Sequence, residues 1–288
     1  MATVAIELDR WTDRRRRTAV LRERRPFARD ILDFYGALLS VQEDAYRDAA
    51  ASPPPADRLP AYVSELVMPA VVGAALAAAP DALRLAISAR TEEADLPGMV
   101  SSWMRGKAIP PVDTFLARAA TSPVLEALGE RAAAAFPGPR AERTCPRCGG
   151  PPQLSYFAPA GEDLATGPRL LLCARCHAGW GYARMTCPSC GENSGPRLPI
   201  FSEEGTAAGE RGSVIRGLPA GVAREARSAV FPHMRIEACD SCRRYLLNVD
   251  LAGDPAAVPL VDELSAVPLD LYARERGFSK ITTNLMGF

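Results

Sequence analysis

All eight cysteines of the chain fall in four Cys-x-x-Cys pairs, Cys145/Cys148, Cys173/Cys176, Cys187/Cys190 and Cys239/Cys242. Such a turn presents two sulfurs to one tetrahedral ion, and two turns close a site with no coordination position left open. Thiolates suit zinc or iron. The eight side chains are therefore predicted to be the ligands of two four-cysteine centres, holding two metal ions per chain, iron or zinc. The first and third pairs share the form Cys-Pro-x-Cys-Gly, with Gly149 and Gly191 free to take a positive φ that turns amide N–H groups toward the sulfurs. The second and fourth pairs lack both proline and glycine, and Trp180 or Tyr245 follows shortly. This order predicts one ion on Cys145, Cys148, Cys173 and Cys176 and the other on Cys187, Cys190, Cys239 and Cys242. A cross-braced pairing of first with third and second with fourth also satisfies the spacing.

Other chemistry is harder to find. Cys173-x-x-Cys176-His177 matches the haem c attachment pattern, but that pair is already needed to complete a centre. His177 is expected at the surface or behind the ligands, and His233 as a packed or solvated side chain. A thiol oxidoreductase would set its Cys-x-x-Cys at a helix N-terminus after a strand, a context absent here. There is no glycine-rich phosphate loop, no Gly-x-Ser-x-Gly elbow and no His-Glu-x-x-His helix. No enzyme is expected.

The elements that must position these cysteines divide by pattern. After a basic segment over 1–25, Phe27, Ile31, Phe34 and Leu38 recur at helical spacing, and helical patterns continue to Phe136 with a new segment predicted to start at Ser122-Pro123. This predicts an all-helical domain over 26–140, of four to six helices. Composition changes at Pro137-Gly-Pro139, and short alternating runs follow, which predicts small β modules over 141–186 and 187–250, one for each four-cysteine set. Modules of this size depend on a metal, because its binding energy becomes folding energy. A C-terminal helix and tail are predicted over 251–288, the helix running from Val258 to Arg276.

Charge and hydropathy exclude some functions. The chain has 288 residues, 48% of them hydrophobic, with 34 basic residues balanced by 34 acidic ones. Between 141 and 250 there are 13 arginines and 11 carboxylates, a net of about +2, too little for a phosphate-binding face. The run Arg14 to Arg17 is expected to be a solvated, partly disordered face. No apolar stretch follows it before Pro26, so no secretion signal is expected and the location expected is cytoplasmic. The most apolar window, Val67 to Ala79, has 13 residues, short of the roughly 20 of a membrane span, and none is predicted.

Taken in order, Cys145-Pro-x-Cys-Gly, Cys173-x-x-Cys-His-x-x-Trp180, Arg184-x-x-Cys187-Pro-x-Cys-Gly and Glu237-Ala-Cys239-Asp-Ser-Cys242-x-x-Tyr245-Leu resemble the FdhE family of formate dehydrogenase accessory proteins. The resemblance implies an α+β architecture: an N-terminal all-helical domain, two tandem rubredoxin-like or zinc-ribbon modules of four cysteines each, and a C-terminal helix. It implies a cytoplasmic maturation factor that binds the catalytic subunit of respiratory formate dehydrogenase before export, with the eight cysteines as metal ligands. Trp180, Tyr182 and Tyr245 read first as hairpin core. The partner surface expected is Trp180, Tyr182, Arg184, Arg243 and Arg244. The alternative carried beside this is a zinc-ribbon protein that binds nucleic acid.

Overall fold

The computed structural model describes residues 10–92, 95–159, 167–203, 213–215 (backbone alone) and 229–288. Residues 1–9 of the expected basic segment lie outside the described residues. The chain forms two compact units, one of Met1–Gly150, Cys173–Ala178 and Leu285–Gly287, the other of Pro151–Leu172, Gly179–Asn284 and Phe288.

The first unit is helical: α1 (Arg10–Arg24), α2 (Arg29–Ala51), α3 (Leu59–Tyr62), α4 (Met68–Ala78), α5 (Asp81–Glu92), α6 (Leu96–Met104) and α7 (Pro111–Leu128). At its centre α7 packs against α2, α4, α5 and α6, and nearly every residue from Asp113 to Leu128 is buried. The break predicted at Ser122-Pro123 does not occur, and Pro123 lies inside α7. A proline there leaves the carbonyl of residue 119 without its helical donor. Gln42 of α2 fills the gap, its Nε2 donating to Ala119 O at 2.9 Å. Proline in this helix is tolerated because a neighbouring helix replaces the missing N–H.

The arginine run is also corrected. Instead of a partly disordered face, it lies within α1, with Arg15 and Arg16 exposed and Arg14 and Arg17 buried; the buried stripe Trp11, Arg14, Thr18 and Leu21 has helical spacing. Arg14 Nη2 meets Glu126 Oε1 of α7 at 2.8 Å, its guanidinium lies 4.5 Å from the Trp11 ring, and Arg15 pairs with Glu43 of α2. These charges anchor α1 to its neighbours.

Ala56–Ala78 runs as one helical stretch of 23 residues through a π-helical turn at Val63–Val67, with an 18-residue window of mean hydropathy 1.6. That is longer than the 13-residue window noted above and is long and apolar enough to cross a membrane by length and composition. Its residues Leu59, Val63, Val67, Met68, Val71 and Ala75 are buried within the helical unit.

The second unit is built on one sheet. Its strands are β1 (Pro152–Phe157), β2 (Arg169–Cys173), β3 (Gly179–Gly181), β4 (Ile200–Glu203), β5 (Ser213–Ile215), β6 (Met234–Cys239), β7 (Arg244–Asp250) and β8 (Ser279–Lys280). They lie in the order β3-β2-β1-β7-β6-β4-β5, with β8 beside the start of β7. The strands of the two cysteine segments thus share a sheet, joined where β1 and β7 pair in parallel with Ser155 opposite Asn248. An open three-stranded piece leaves an edge of unpaired N–H and C=O groups, and this pairing removes two such edges.

Period-2 alternation separates the faces of the sheet. Met234, Ile236 and Ala238 of β6 and Tyr245, Leu247 and Val249 of β7 join the apolar core with Ala266, Leu269, Ala273 and Phe278. On the opposite face the Glu237 carboxylate takes Arg169 Nη2 at 2.6 Å, Arg235 Nη2 at 3.0 Å and the Ser155 hydroxyl at 2.9 Å. Burial alone would raise the Glu237 carboxyl, but Arg169 and Arg235 outweigh it and hold it below the usual carboxylate range.

The single C-terminal helix predicted over 258–276 is two, α8 (Pro259–Leu264) and α9 (Val267–Glu275). Pro268 has no N–H for the Leu264 carbonyl, so the first helix stops and the second restarts with proline in its first turn. The following tail is pinned by charge. Lys280 Nζ lies 2.7 Å from Glu263 Oε1 of α8 and 3.0 Å from Asp270 Oδ1 of α9, all three side chains at most 1% exposed. The Tyr245 hydroxyl donates to Asp270 at 2.8 Å.

Gln42→Leu should lower unfolding free energy by about 1–3 kcal/mol, because the Ala119 carbonyl is left buried and unpaired. In that background Pro123→Ala restores a backbone donor, so it should cost less than in the native chain; equal costs in both, by urea unfolding, would disprove the shared carbonyl. Glu237→Gln should cost about 3 kcal/mol at neutral pH by leaving Arg169 buried without its counter-charge. Because the folded-state carboxyl is depressed, its contribution is present above the unfolded value of about 4.3 and is lost as pH falls through the folded value. The native and Glu237→Gln chains should therefore converge in stability in acid.

Candidate metal centres

The eight cysteines come from four similar turns. Cys145–Gly150 precedes β1 and Cys187–Glu192 precedes β4, while Cys173–Ala178 joins β2 to β3 and Cys239–Arg243 joins β6 to β7. In each, the residue after the second cysteine takes a left-handed conformation: Gly149 (φ 67°), His177 (φ 53°), Gly191 (φ 85°) and Arg243 (φ 56°). The glycines adopt it freely, as their place in the sequence predicts. For His177 and Arg243, the only non-glycine residues with positive φ among those described, it costs about 1–2 kcal/mol.

The turns also share backbone bonds. Gly149 N donates to Cys145 O at 2.8 Å, Gly191 N to Cys187 O at 2.9 Å and Arg243 N to Cys239 O at 2.9 Å. Cys145 N donates to Gly150 O at 2.9 Å, Cys187 N to Glu192 O at 2.7 Å and Cys173 N to Ala178 O at 2.9 Å. Such closed turns aim both sulfurs the same way.

The sulfurs meet in two sets. Cys145, Cys148, Cys173 and Cys176 lie with their Sγ atoms within 4.8 Å of one another, as do Cys187, Cys190, Cys239 and Cys242. This is the sequential pairing, and the cross-braced alternative is excluded. Across the first set Cys145 and Cys176 are 3.7 Å apart and Cys148 and Cys173 3.4 Å; across the second Cys187 and Cys242 are 3.8 Å apart and Cys190 and Cys239 3.7 Å. Disulfide sulfurs would be about 2.05 Å apart. Four sulfurs about 2.3 Å from one tetrahedral ion would be about 3.8 Å from each other. The donor sets fit zinc or iron.

Burial pushes the Cys173 thiol well above its ordinary value and the Cys187 thiol up to about 12, while hydrogen bonds from Cys148, Cys173 and Cys176 hold Cys145 low. Four anionic sulfurs at these separations require a cation among them.

Around the first set, residues that sequence reasoning missed hold the turn. His177 Nδ1 lies 3.0 Å from Glu126 Oε2 of α7. Burial opposes ionisation of Glu126, but Arg14, His177 and Arg10 hold its carboxyl well below the usual range. His177 is thus tied behind the sulfurs, and no spacing rule could have linked it to residue 126. Gly150 is equally constrained, since a Cβ there would lie 2.8 Å from Cys173 Sγ. His233, expected to be packed or solvated, is buried with Nε2 2.9 Å from Asp262 Oδ1, and Asp262 also accepts Val258 N at 2.8 Å at the start of α8.

The expected partner residues are dispersed in character. Trp180 is buried in β3, and Tyr182 is half-buried beneath the Arg169 guanidinium. Arg184 is exposed and lies over the Phe157 ring. Arg243, also exposed, lies 3.9 Å over Phe278 and pairs with Asp240 at 2.8 Å, while exposed Arg244 donates to Lys280 O at 3.1 Å. Tyr245 is core, as its hairpin reading predicts.

Residues 220–286 match the family model described as "FdhE, C-terminal domain". That stretch of the chain is similar to FdhE. The chain is 31% identical over 144 residues to an FdhE homologue of Aquifex aeolicus and 30% identical over 142 residues to one of Pseudomonas aeruginosa. These alignments take in 50% and 49% of the chain, which spans 41% and 38% of the relatives' own lengths. The crystal structure of the FdhE protein from Pseudomonas aeruginosa superposes with a TM-score of 0.62 at 22% identity, covering 96% of this chain and 94% of that one. The fold of this chain, a helical region followed by a sheet that carries two four-cysteine clusters, is therefore the FdhE fold.

Gly150→Ala tests the packing of the first set. The new methyl must displace a ligand sulfur, so metal affinity at that set should fall roughly tenfold or more. Gly181→Ala, whose Cβ would meet nothing within 4 Å, is the control and should leave chelator competition unchanged. Equal behaviour of the two variants would contradict the close approach.

Proposed function

We propose that the protein is an accessory factor for the assembly of active respiratory formate dehydrogenase. It binds the catalytic subunit in the cytoplasm before export and catalyses nothing itself. The observation that carries this reading is the pair of four-sulfur clusters set on an FdhE-like fold. Cys145, Cys148, Cys173 and Cys176 hold one ion of iron or zinc, and Cys187, Cys190, Cys239 and Cys242 the other. When bound, each ion supplies a tetrahedral cross-link between two turns. The chain's own residues then present a stiff surface, with accessible Arg184, Arg243 and Arg244 as the contacts nearest the second cluster's sequence.

Arginine pairing supports a protein partner over nucleic acid. Arg169 and Arg235 are committed to Glu237 and Arg147 to Glu130. The apolar stretch Ala56–Ala78 packs one face, Leu59, Val63, Val67, Met68, Val71 and Ala75, into the helical unit.

Two measurements test the reading. Tagged protein purified from cells that make a formate dehydrogenase catalytic subunit should carry that subunit and about two metal ions per chain. Cys187→Ser with Cys190→Ser should lose the subunit while circular dichroism keeps the helical signal. Failure of the native chain to capture the subunit would refute the partner; metal content near zero after supply of zinc and of ferrous iron would refute the centres.

A further inference from the structure

The two sulfur clusters differ in one respect that their common motif does not suggest. In the first, Cys145, Cys148, Cys173 and Cys176 are each at most 1% exposed. Gly150 and Arg175 press on Cys173, and the ion-paired Glu126 holds His177 beside Cys176. In the second, Cys187 and Cys239 are buried, but Cys242 is half-buried and Cys190 is exposed. Around Cys190 the chain is thin and hydrophilic: Gly191, Asn193, Ser194 and Ser241 are exposed, and Ser241 Oγ bonds Glu192 at 2.6 Å. Arg197, also exposed, reaches Ser241 Oγ at 3.4 Å beside the Glu192 carboxylate that Ser241 also bonds.

We infer that the second cluster is an exchange site for an outside sulfur donor, with Cys190 as the departing ligand, while the first is a closed structural centre. The inference rests on both clusters holding metal. Access and thiolate character decide which coordinated sulfur an external thiol can replace. A buried ligand can leave only if the fold opens, whereas Cys190 Sγ can swing into solvent with its three companions in place. In the exchange the incoming thiol loses its S–H bond and its sulfur takes the position vacated by Cys190. Cys190 Sγ accepts that proton and becomes a free thiol. Four sulfurs remain around the ion throughout, and no electron is transferred. The class of ligand is a soft sulfur donor, a small thiol or a cysteine of another polypeptide.

The test uses the full chain loaded with zinc to two ions, with 4-(2-pyridylazo)resorcinol reporting release and glutathione as the thiol. Release should be biphasic, one ion per phase, the faster ahead by about tenfold or more and accelerated by glutathione. Iodoacetamide added during the fast phase should label Cys190 ahead of every other cysteine, read by peptide mass spectrometry, and should leave Cys145, Cys148, Cys173 and Cys176 unmodified. Cys190→Ser should keep one slowly released ion and lose the glutathione dependence. A single release phase, first labelling within 145–176, or loss of both ions from Cys190→Ser would overturn the inference and leave the metal reading intact. A chain that takes up fewer than two zinc ions at the start would overturn the metal reading itself.

Discussion

Four sulfurs drawn together across distances of 3.4–3.8 Å are the arrangement around which each cluster is built. Burial penalises thiolates there and mutual repulsion penalises them further, so the sulfurs in ionised form would need a cation to balance them. Everything near them is arranged for that balance. The turns close through backbone bonds before any side chain is considered, and the left-handed residue after each second cysteine completes the curl. Two of the four turns place a bulky residue there and carry its strain. His177 and Arg243 are the ones retained, and each is also held by a distant group: Glu126 Oε2 for His177, and the Arg276 carbonyl and the Phe278 ring for Arg243. Side-chain anchorage offsets a backbone cost that glycine would have avoided.

The grouping of the cysteines was legible in the sequence because the spacing that suits metal coordination is a local rule. Four Cys-x-x-Cys pairs with no remainder leave few arrangements, and Pro–Gly against aromatic context orders them. The helical half was legible in character, since Phe27, Ile31, Phe34 and Leu38 follow the period that burial imposes. What escaped was every case in which polar groups do the work of apolar ones. Trp11, Arg14, Thr18 and Leu21 form a buried stripe that hydropathy cannot see, because Arg14 is buried against a carboxylate 112 residues away. Gln42 rescues a proline 81 positions later through the Ala119 carbonyl, so the rule that proline starts a segment fails at residue 123.

The sheet shows the same limit on a larger scale. Each hairpin was legible from alternation, but the parallel pairing of β1 with β7 joins residues about 93 positions apart and leaves no local mark. Its polar face is likewise non-local: Arg169, Ser155, Asn248 and Glu237 come from four strands and are linked by hydrogen bonds through Ser155 Oγ and the Glu237 carboxylate. Lys280, one of only two lysines, is committed to Glu263 and Asp270 in a site that water does not reach. A buried ion set of this kind adds little net stability compared with apolar packing, but removing one member is severe. The tail is therefore fixed in place rather than strongly held by hydrophobic area.

Loop length does not explain why one cluster is sealed and the other open. The ligands of the first are separated by up to 31 residues and those of the second by up to 55. Closure entropy grows only with the logarithm of length, so the longer loop costs about 0.5 kcal/mol more. That is too small to decide which cluster is sealed. The difference lies in what surrounds the sulfurs: helix-borne charge and a glycine without room for a methyl group at the first, short hydrophilic turns at the second. Two copies of one motif thus acquire different chemistry from their neighbours, and the neighbours rather than the ligands decide what each cluster can do.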